Sequence, residues 1–440
     1  MINRNNKKGF TIVELVIVIA VIAILAAVLI PTFSGIIRKA NISADTQLAK
    51  NLNDILAADE AVDGKPANFS EVLSILRENG YLVANLNPTA ADCYFVWESE
   101  SNQIILVDTK NENSVIYNSK ELTNEAPGAT WYFAVSNKAD ADELKTQIPN
   151  INVVMTIAAG SDLNSALGAI TGTETIYIDE SLVIDKDSAI VLDKSDAKIT
   201  LDLGTSTVSG DNSDGYSETN IPFYVQAGEL TLKGGTLSAT GSWLDADNEP
   251  VDSAVLATGG VLNLNNTTVD CAGKAIVVAY DGASGTVSNS TITAFSSAIN
   301  IGGGSNVIVD NCIINVDNEA VWVSNSGVTA PASSSATIKG GEYNGVGNTI
   351  ALYGGSITIE DGKFTAEQTN LFKFYAANST ITIKRGTFTT ANGTYTCDEL
   401  KAMELEDATA IIKGMFSTGS TNYSGITVTK NADGHFIVKN

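Results

Sequence analysis

The feature that most restricts this chain lies at residues 10–30, where only Thr11 and Glu14 are not apolar and residues 15–30 are an unbroken apolar run. As an α-helix such a stretch spans about 30 Å, the thickness of a bilayer's hydrocarbon core. Arg4, Lys7 and Lys8 precede it, with no acid among residues 1–9. That asymmetry places the N-terminus in the cytoplasm and everything after Pro31 outside. An ordinary signal peptide, cut near the small residues Ala26 and Ala27, is the plain alternative. Against it stand the length of the run and the carboxylate inside it. A glutamate at that depth costs about 2.5–3.5 kcal/mol on insertion scales and calls for a partner.

The residues around that glutamate, Lys7-Lys8-Gly9-Phe10-Thr11-Ile12-Val13-Glu14-Leu15, resemble the class III signal of type IV prepilins and type II secretion pseudopilins. The resemblance implies that a prepilin peptidase cuts between Gly9 and Phe10, that Phe10 is then N-methylated, and that Glu14 and Pro31 serve assembly. In an apolar filament core, Glu14 can neutralise the new α-ammonium of a neighbouring subunit's Phe10. A paired charge is tolerated there and an unpaired one is not. Residues 1–9 are then a leader peptide.

Beyond Pro31, Ile37, Ala40, Ala44, Leu48, Leu52 and Ile55 recur at steps of three and four, one stripe on a helix running to about Ala61. With the membrane segment this makes a rod of about 50 residues and about 75 Å, which Gly64 and Pro66 end. Residues 70–79 read as a helix closed by Gly80. Strands follow at 93–98, 103–107 and 115–117, with Ser-Glu-Ser-Asn as a turn. A short antiparallel sheet laid on a long helix resembles a minimal pilin head, and Glu125-Ala-Pro-Gly128 reads as a linker. The expected parts are a leader (1–9), a transmembrane and stalk helix (10–62), a small head (63–126), and a linker with a cap (127–174).

From about residue 175 to 440 the chain repeats itself. With the second member of an apolar–x–apolar pair as anchor, the series runs Leu203, Leu232, Leu264, Val287, Val309, Ile338, Ile359 and Ile383. Five residues after each stands Val208, Leu237, Val269, Ile292, Ile314, Tyr343, Phe364 or Phe388. A second alternating stretch precedes most anchors: Phe223/Val225, Val255/Ala257, Ile276/Val278, Ile299/Ile301, Val321/Val323, Ile350/Leu352 and Phe372/Phe374. Intervals of 21 to 32 residues are too short for propeller blades and lack the leucine–asparagine pattern of leucine-rich repeats. They fit a right-handed parallel β-helix, each coil stacking about 4.8 Å on the last. A helix from Asp162 to Ile170 suits a lid for the first coil, and 426–428 with 436–438 would close the far end. The fold class is thus an α+β pilin-like N-terminal region followed by an all-β parallel β-helix.

The chain carries a formal charge of −24, which argues against nucleic acid and anionic headgroups as partners. Cys93, Cys271, Cys312 and Cys397 match neither a disulfide framework nor a zinc pattern. Asp211/Asp214 and Asp245/Asp247/Glu249/Asp252 lack the spacing of a calcium loop. The row after the anchors, Gly204, Lys233, Asn265, Ser288, Asp310, Lys339, Glu360, Lys384, reads as a stacked ion-pair ladder, with no paired acids for hydrolysis. No cofactor, metal or catalytic residue is therefore expected. A more telling row lies between the paired apolar residues ahead of the anchors: Tyr224, Leu256, Val277, Asn300, Trp322, Ala351, Lys373. Tyr224, Leu256, Val277 and Trp322 mark a candidate docking strip for a glycan or a protein, unless a loop such as 327–335 covers them.

The resulting expectation is a single-pass bacterial membrane protein, non-enzymatic, held through residues 10–30. It would be a minor or tip-proximal subunit of a cell-surface filament or secretion pseudopilus, displaying its β-helix outside for adhesion or recognition. Its partners would be a prepilin peptidase, other pilin or pseudopilin subunits and a glycan or surface ligand. The rival is a membrane-tethered polysaccharide-active lyase or hydrolase on the same anchor.

Overall fold

The computed structural model describes residues 11–83, 86–109, 114–115, 131–135, 138–147, 152–157, 163–184, 190–212, 223–241, 253–271, 273–278, 282–325, 333–367, 370–418 and 425–440. The chain divides into two compact units: Met1–Pro66, Leu86–Phe133 and Lys145–Asn152 in one, Ala67–Asn85, Ala134–Leu144 and Val153–Asn440 in the other.

The first unit is organised by one helix, α1 (Ile12–Asp63). Its first half is long and apolar enough to cross a membrane, and the apolar window that satisfies this is unburied within the chain. The outer half packs beneath an antiparallel sheet of β1 (Cys93–Glu98), β2 (Gln103–Asp108), β3 (Ser114–Val115) and β4 (Trp131–Val135). β2 pairs with β3 and β1, and β1 pairs with β4. The β1–β2 turn is held by the Glu98 carboxylate, which accepts from the Glu100 and Ser101 amides at 2.7 and 2.9 Å.

The face that α1 buries matches the stripe expected from the sequence only in its outer part, where Leu52 is buried and Leu48 and Ile55 are half-buried. Asp45, Ala49, Leu52 and Leu56 are buried, whereas Ile37, Ala40 and Ala44 are exposed. The centre of the true face is polar: Asp45 accepts from the backbone N–H groups of Thr89 and Ala90, both at 2.8 Å. Two backbone donors satisfied by one buried carboxylate outweigh apolar positions that have no sheet above them.

The second unit is a stack of coils. Every expected apolar row is present in register. Leu232, Leu264, Val287, Val309, Ile338, Ile359 and Ile383 pair in parallel from coil to coil. So do Val208, Leu237, Val269, Ile292, Ile314, Tyr343, Phe364 and Phe388. The third row joins Phe223/Val225 through Phe372/Phe374 and ends on Phe416. These side chains are buried in one continuous core, as period-two alternation on a coiling strand requires. Tyr343, Phe364 and Phe388 stack with centroids 4.8 and 5.5 Å apart, an aromatic column at the spacing of the coils.

The first coil departs from the expected frame. Leu201, not Leu203, pairs with Leu232, and a register shift follows between Asp202 and Thr207. The segment Ile199-Thr200-Leu201-Asp202-Leu203 alternates in two equally good frames. The bulge lets Leu203 stay buried while Val208 regains register. Parallel pairing also begins ahead of residue 175, because Asn152–Ile157 pairs with Thr173–Ile178 and that strand with β-structure at 198–202.

Corners between strands use left-handed backbone. Asn266, Asn289 and Asn311 have φ of 55, 49 and 52°, and Asn311 Nδ2 donates to Asn289 Oδ1 at 3.0 Å. At the next coil Gly341 takes φ +102°, where a Cβ would lie 2.2 Å from the Cys312 carbonyl oxygen. Only glycine serves there.

Both ends of the stack are closed. At the start, the helix Leu163–Gly168 lies over the first strands, with Asn164 Oδ1 accepting from the Val191 amide at 3.1 Å. A second helix, α2 (Phe69–Glu78), capped by Asn68, also belongs to this unit. Its Phe69 meets Tyr177 edge-on at 5.2 Å, and Arg77 donates to Ser206 and the Asp179 carbonyl. At the far end, Phe436–Lys439 pairs antiparallel with 380–383 and with Thr427–Lys430. Gly393–Thr396 folds back on Thr387–Thr390. Antiparallel closing strands leave those parallel edges no free partner.

Candidate functional site

Two places carry features beyond folding: the start of α1 and a cleft on the coiled unit.

At the start of α1, Thr11 is the N-cap. Its hydroxyl accepts from the Glu14 amide at 3.2 Å, while the Glu14 carboxylate accepts from the Thr11 amide and hydroxyl at 2.9 and 2.8 Å. This is a reciprocal capping box. The Thr-x-x-Glu spacing was visible in the sequence but escapes notice when Glu14 is weighed only as a membrane charge. The box holds the carboxylate against the backbone of residue 11. Gly9 and Phe10 themselves lie outside the described residues. Pro31 sits inside α1, where it has no N–H for the Ala27 carbonyl. The following residue, Thr32, donates its hydroxyl to the Val28 carbonyl at 2.9 Å.

On the coiled unit the expected strip is contiguous. Tyr224, Leu256, Val277, Asn300, Trp322, Ala351 and Lys373 are neighbours in register. Tyr224, Leu256, Val277 and Trp322 are half-buried, and Ala351 is buried. Residues 326–332, which include most of the loop named as a competing cover, lie outside the described residues, as do Asp214, Asp245, Asp247, Glu249 and Asp252.

At one end of this strip a cleft of about 390 Å³ opens, lined by Lys274, Ser296, Ser297, Asn300, Asn318, Glu319, Trp322 and Tyr375. Tyr375 lies within the strand Phe372–Ile383, at the register shift between Phe374 and Ala376, and its ring lies 5.1 Å from that of Trp322 at 35°. Lys373 Nζ sits 4.1 Å from the Tyr375 centroid, a cation–π contact that steadies the aromatic pair. Glu319 is nearly buried; its two oxygens accept from Ser297 Oγ at 3.2 Å and Tyr375 Oη at 3.4 Å. Asn300 Nδ2 is shielded from solvent and has no hydrogen-bond partner.

The sequence reading put Trp322 in its strip and Asn300 in the same outward row, and it did not single out Lys274, Glu319 or Tyr375. A signal existed: two residues ahead of each third-row pair stand Ser253, Lys274, Ser297 and Glu319, and these stack in register. The ion-pair row is realised at its ends, as Lys233 to Asp202 at 2.8 Å and Lys384 to Glu360 at 2.9 Å. Asp202 takes the place expected for Gly204 because of the two-residue frame change. All four cysteines are free and buried. Burial pushes the Cys93 thiol up to about 11 and raises Cys312 and Cys397. Among the described residues, no group of three or more His, Cys, Asp or Glu is placed to hold a metal.

Comparison with known proteins bears on the first of these places. Residues 4–30 match the prokaryotic N-terminal methylation motif. The chain is similar to the type IV wide pilus major component PilA4 of Thermus thermophilus, 53% identical over 55 residues, 12% of this chain and 40% of that protein. It is 46% identical over 62 residues to the type IV major fimbrial protein FimA of Dichelobacter nodosus, 14% of this chain and 38% of the relative. A second FimA from that organism aligns over 154 residues at 29% identity, 32% of this chain and 94% of the relative. The first two alignments thus cover about two fifths of each relative. No solved structure matches the chain. The N-terminal part is pilin-like, and the coiled unit is what sets this chain apart from those relatives.

Proposed function

We propose that this chain is a minor or tip-proximal subunit of a type IV pilus-like surface filament or secretion pseudopilus, carrying the coiled unit outside the membrane for adhesion or recognition. The observation that carries the reading is the continuity of the prepilin-like motif into one 52-residue helix, with Glu14 locked to its N-cap, Thr11. The coiled unit, whose longest segment runs from Val153 to Asn440, is a large passenger for one stalk helix, which favours a sparse or terminal place over a densely packed shaft. Coil edges closed by antiparallel strands suit a domain displayed singly.

The function is structural and recognitive. Among the described residues that line the cleft, Glu319 is the one carboxylate, whereas glycoside hydrolysis calls for a pair of carboxyl groups. This supports binding over catalysis.

The test is the N-terminus of the protein sheared from cell surfaces, read by mass spectrometry. A chain beginning at N-methylated Phe10 is expected. An intact Met1, or a start near Ala27, would overturn the filament reading and leave an ordinary anchor or exported protein.

A further inference from the structure

We infer that the cleft beside Trp322 is a saccharide subsite that takes a neutral acetamido sugar. This deepens the recognition role proposed above and rests on it. Four observations converge.

The first is the aromatic pair. Trp322 and Tyr375 lie 5.1 Å apart, and Trp322 remains half-exposed on a cleft wall. A flat π-surface in a polar cleft suits the apolar C–H face of a pyranose better than a peptide side chain, which would need an apolar socket. The cleft's lining is otherwise hydroxyl, amide, carboxylate and ammonium.

The second is an unused donor. Asn300 Nδ2 has no partner, although a buried amide without one costs stability. Asn300 is one of the residues that line the cleft, and the terminal torsion of asparagine is soft. A ligand carbonyl or hydroxyl oxygen there would satisfy it.

The third is an acceptor held in place. Ser297 and Tyr375 both donate to Glu319, which pins the carboxylate in the cleft wall. An acetamido group offers a carbonyl oxygen for Asn300 and an N–H for Glu319, with its methyl against the ring.

The fourth is charge. The whole chain carries −24, so a uronate or sulfated chain would approach against the field of the protein, and Lys274 and Lys373 are the cations near this cleft to oppose it. A neutral sugar meets no such barrier. A volume of about 390 Å³ falls at the lower end of small-ligand sites, room for a short stretch of a glycan chain.

The test is calorimetric titration of the purified full-length chain, in a zwitterionic detergent without a sugar headgroup, with three probes: tri-N-acetylchitotriose, maltotriose and trigalacturonate. Binding of tri-N-acetylchitotriose above the other two is expected. Trp322→Ala is expected to weaken it at least about tenfold, and Asn300→Ala about three- to tenfold, the range of one neutral hydrogen bond. Asn300→Ala is also expected to leave the unfolding midpoint unchanged, because the lost N–H₂ group serves no bond in the fold. Tyr375→Phe keeps the ring and removes only the donation to Glu319, so it guards against misfolding of the larger truncation. Three results would overturn the inference: no binding of any probe, stronger binding of trigalacturonate, or affinity indifferent to all three substitutions. Processing is read separately. A chain with methylated Phe10 that binds no sugar overturns the subsite and leaves the filament role standing. A chain with an unprocessed N-terminus that binds tri-N-acetylchitotriose does the reverse.

Discussion

The two units solve the burial problem in opposite ways. The first hangs a small sheet on one long helix, which meets it through buried Asp45, Ala49, Leu52 and Leu56 and through polar contacts from Arg38, Asn53 and Glu60. The second spreads burial over stacked rows in which each side chain has a near copy above and below. A repeat domain gains stability from nearest-neighbour interfaces, whereas the head depends on a few polar contacts that occur once each, Asp45 to Thr89 and Ala90 among them. The lesson is that redundancy makes a structure legible, and a contact made only once hides it.

Removing one rung of the aromatic column tests the strong side of this comparison most sharply. Phe364→Ala leaves a void between Tyr343 and Phe388 and is expected to cost about 3–5 kcal/mol. Chemical denaturation of the full chain should show it, with amide protection in the head unchanged. If the head loosens equally, the two units do not unfold separately.

The thiols report on both units at once. With Cys93 at about 11 against an ordinary 9.0, its thiolate is about a hundredfold scarcer at neutral pH, and burial blocks access further. Iodoacetamide should label none of the four cysteines in the native chain. In rising denaturant Cys93 should label before Cys271, Cys312 and Cys397. The reverse order would mean that the coils, not the head, open first.

Asp45→Ala strikes one of those single contacts. It strands the Thr89 and Ala90 amides and is expected to cost the first unit about 2–3 kcal/mol. Hydrogen exchange should accelerate at those amides and leave coil amides alone.

The smallest effect is electrostatic. Lys384 donates to Glu360 and holds its carboxyl below the usual range. The folded chain therefore takes up that proton less readily than the unfolded one, so the pair contributes above about pH 4.5 and fades as pH falls through the lowered folded value. Both side chains are 36% exposed, so solvent screening limits the contribution to a few tenths of a kcal/mol. Glu360→Gln should flatten the acid limb of the coil's stability curve by that amount.

Much of this could be read from the chain itself. The membrane-length run, the motif around Glu14, the three apolar rows and the closing strands follow from hydropathy and period. Each of those signals is local, or is repeated often enough to be heard over noise. The frame of the first coil was not readable in this way, because Ile199, Leu201 and Leu203 fit two registers and only pairing with Leu230 and Leu232 selects one. The buried face of α1 was hidden for a related reason. Its anchor is a carboxylate, and no hydropathy pattern marks a carboxylate as buried until its two amide donors, 44 and 45 residues away, are seen.

The cleft shows where that boundary runs. Sequence alone determined that Trp322 and Asn300 share an outward row, since strand alternation leaves no other choice. Tertiary structure alone decided that Lys274, Glu319 and Tyr375 join them, because the coils differ in length and a residue 56 positions on, Tyr375, reaches Glu319 only once the chain has wound through two further turns.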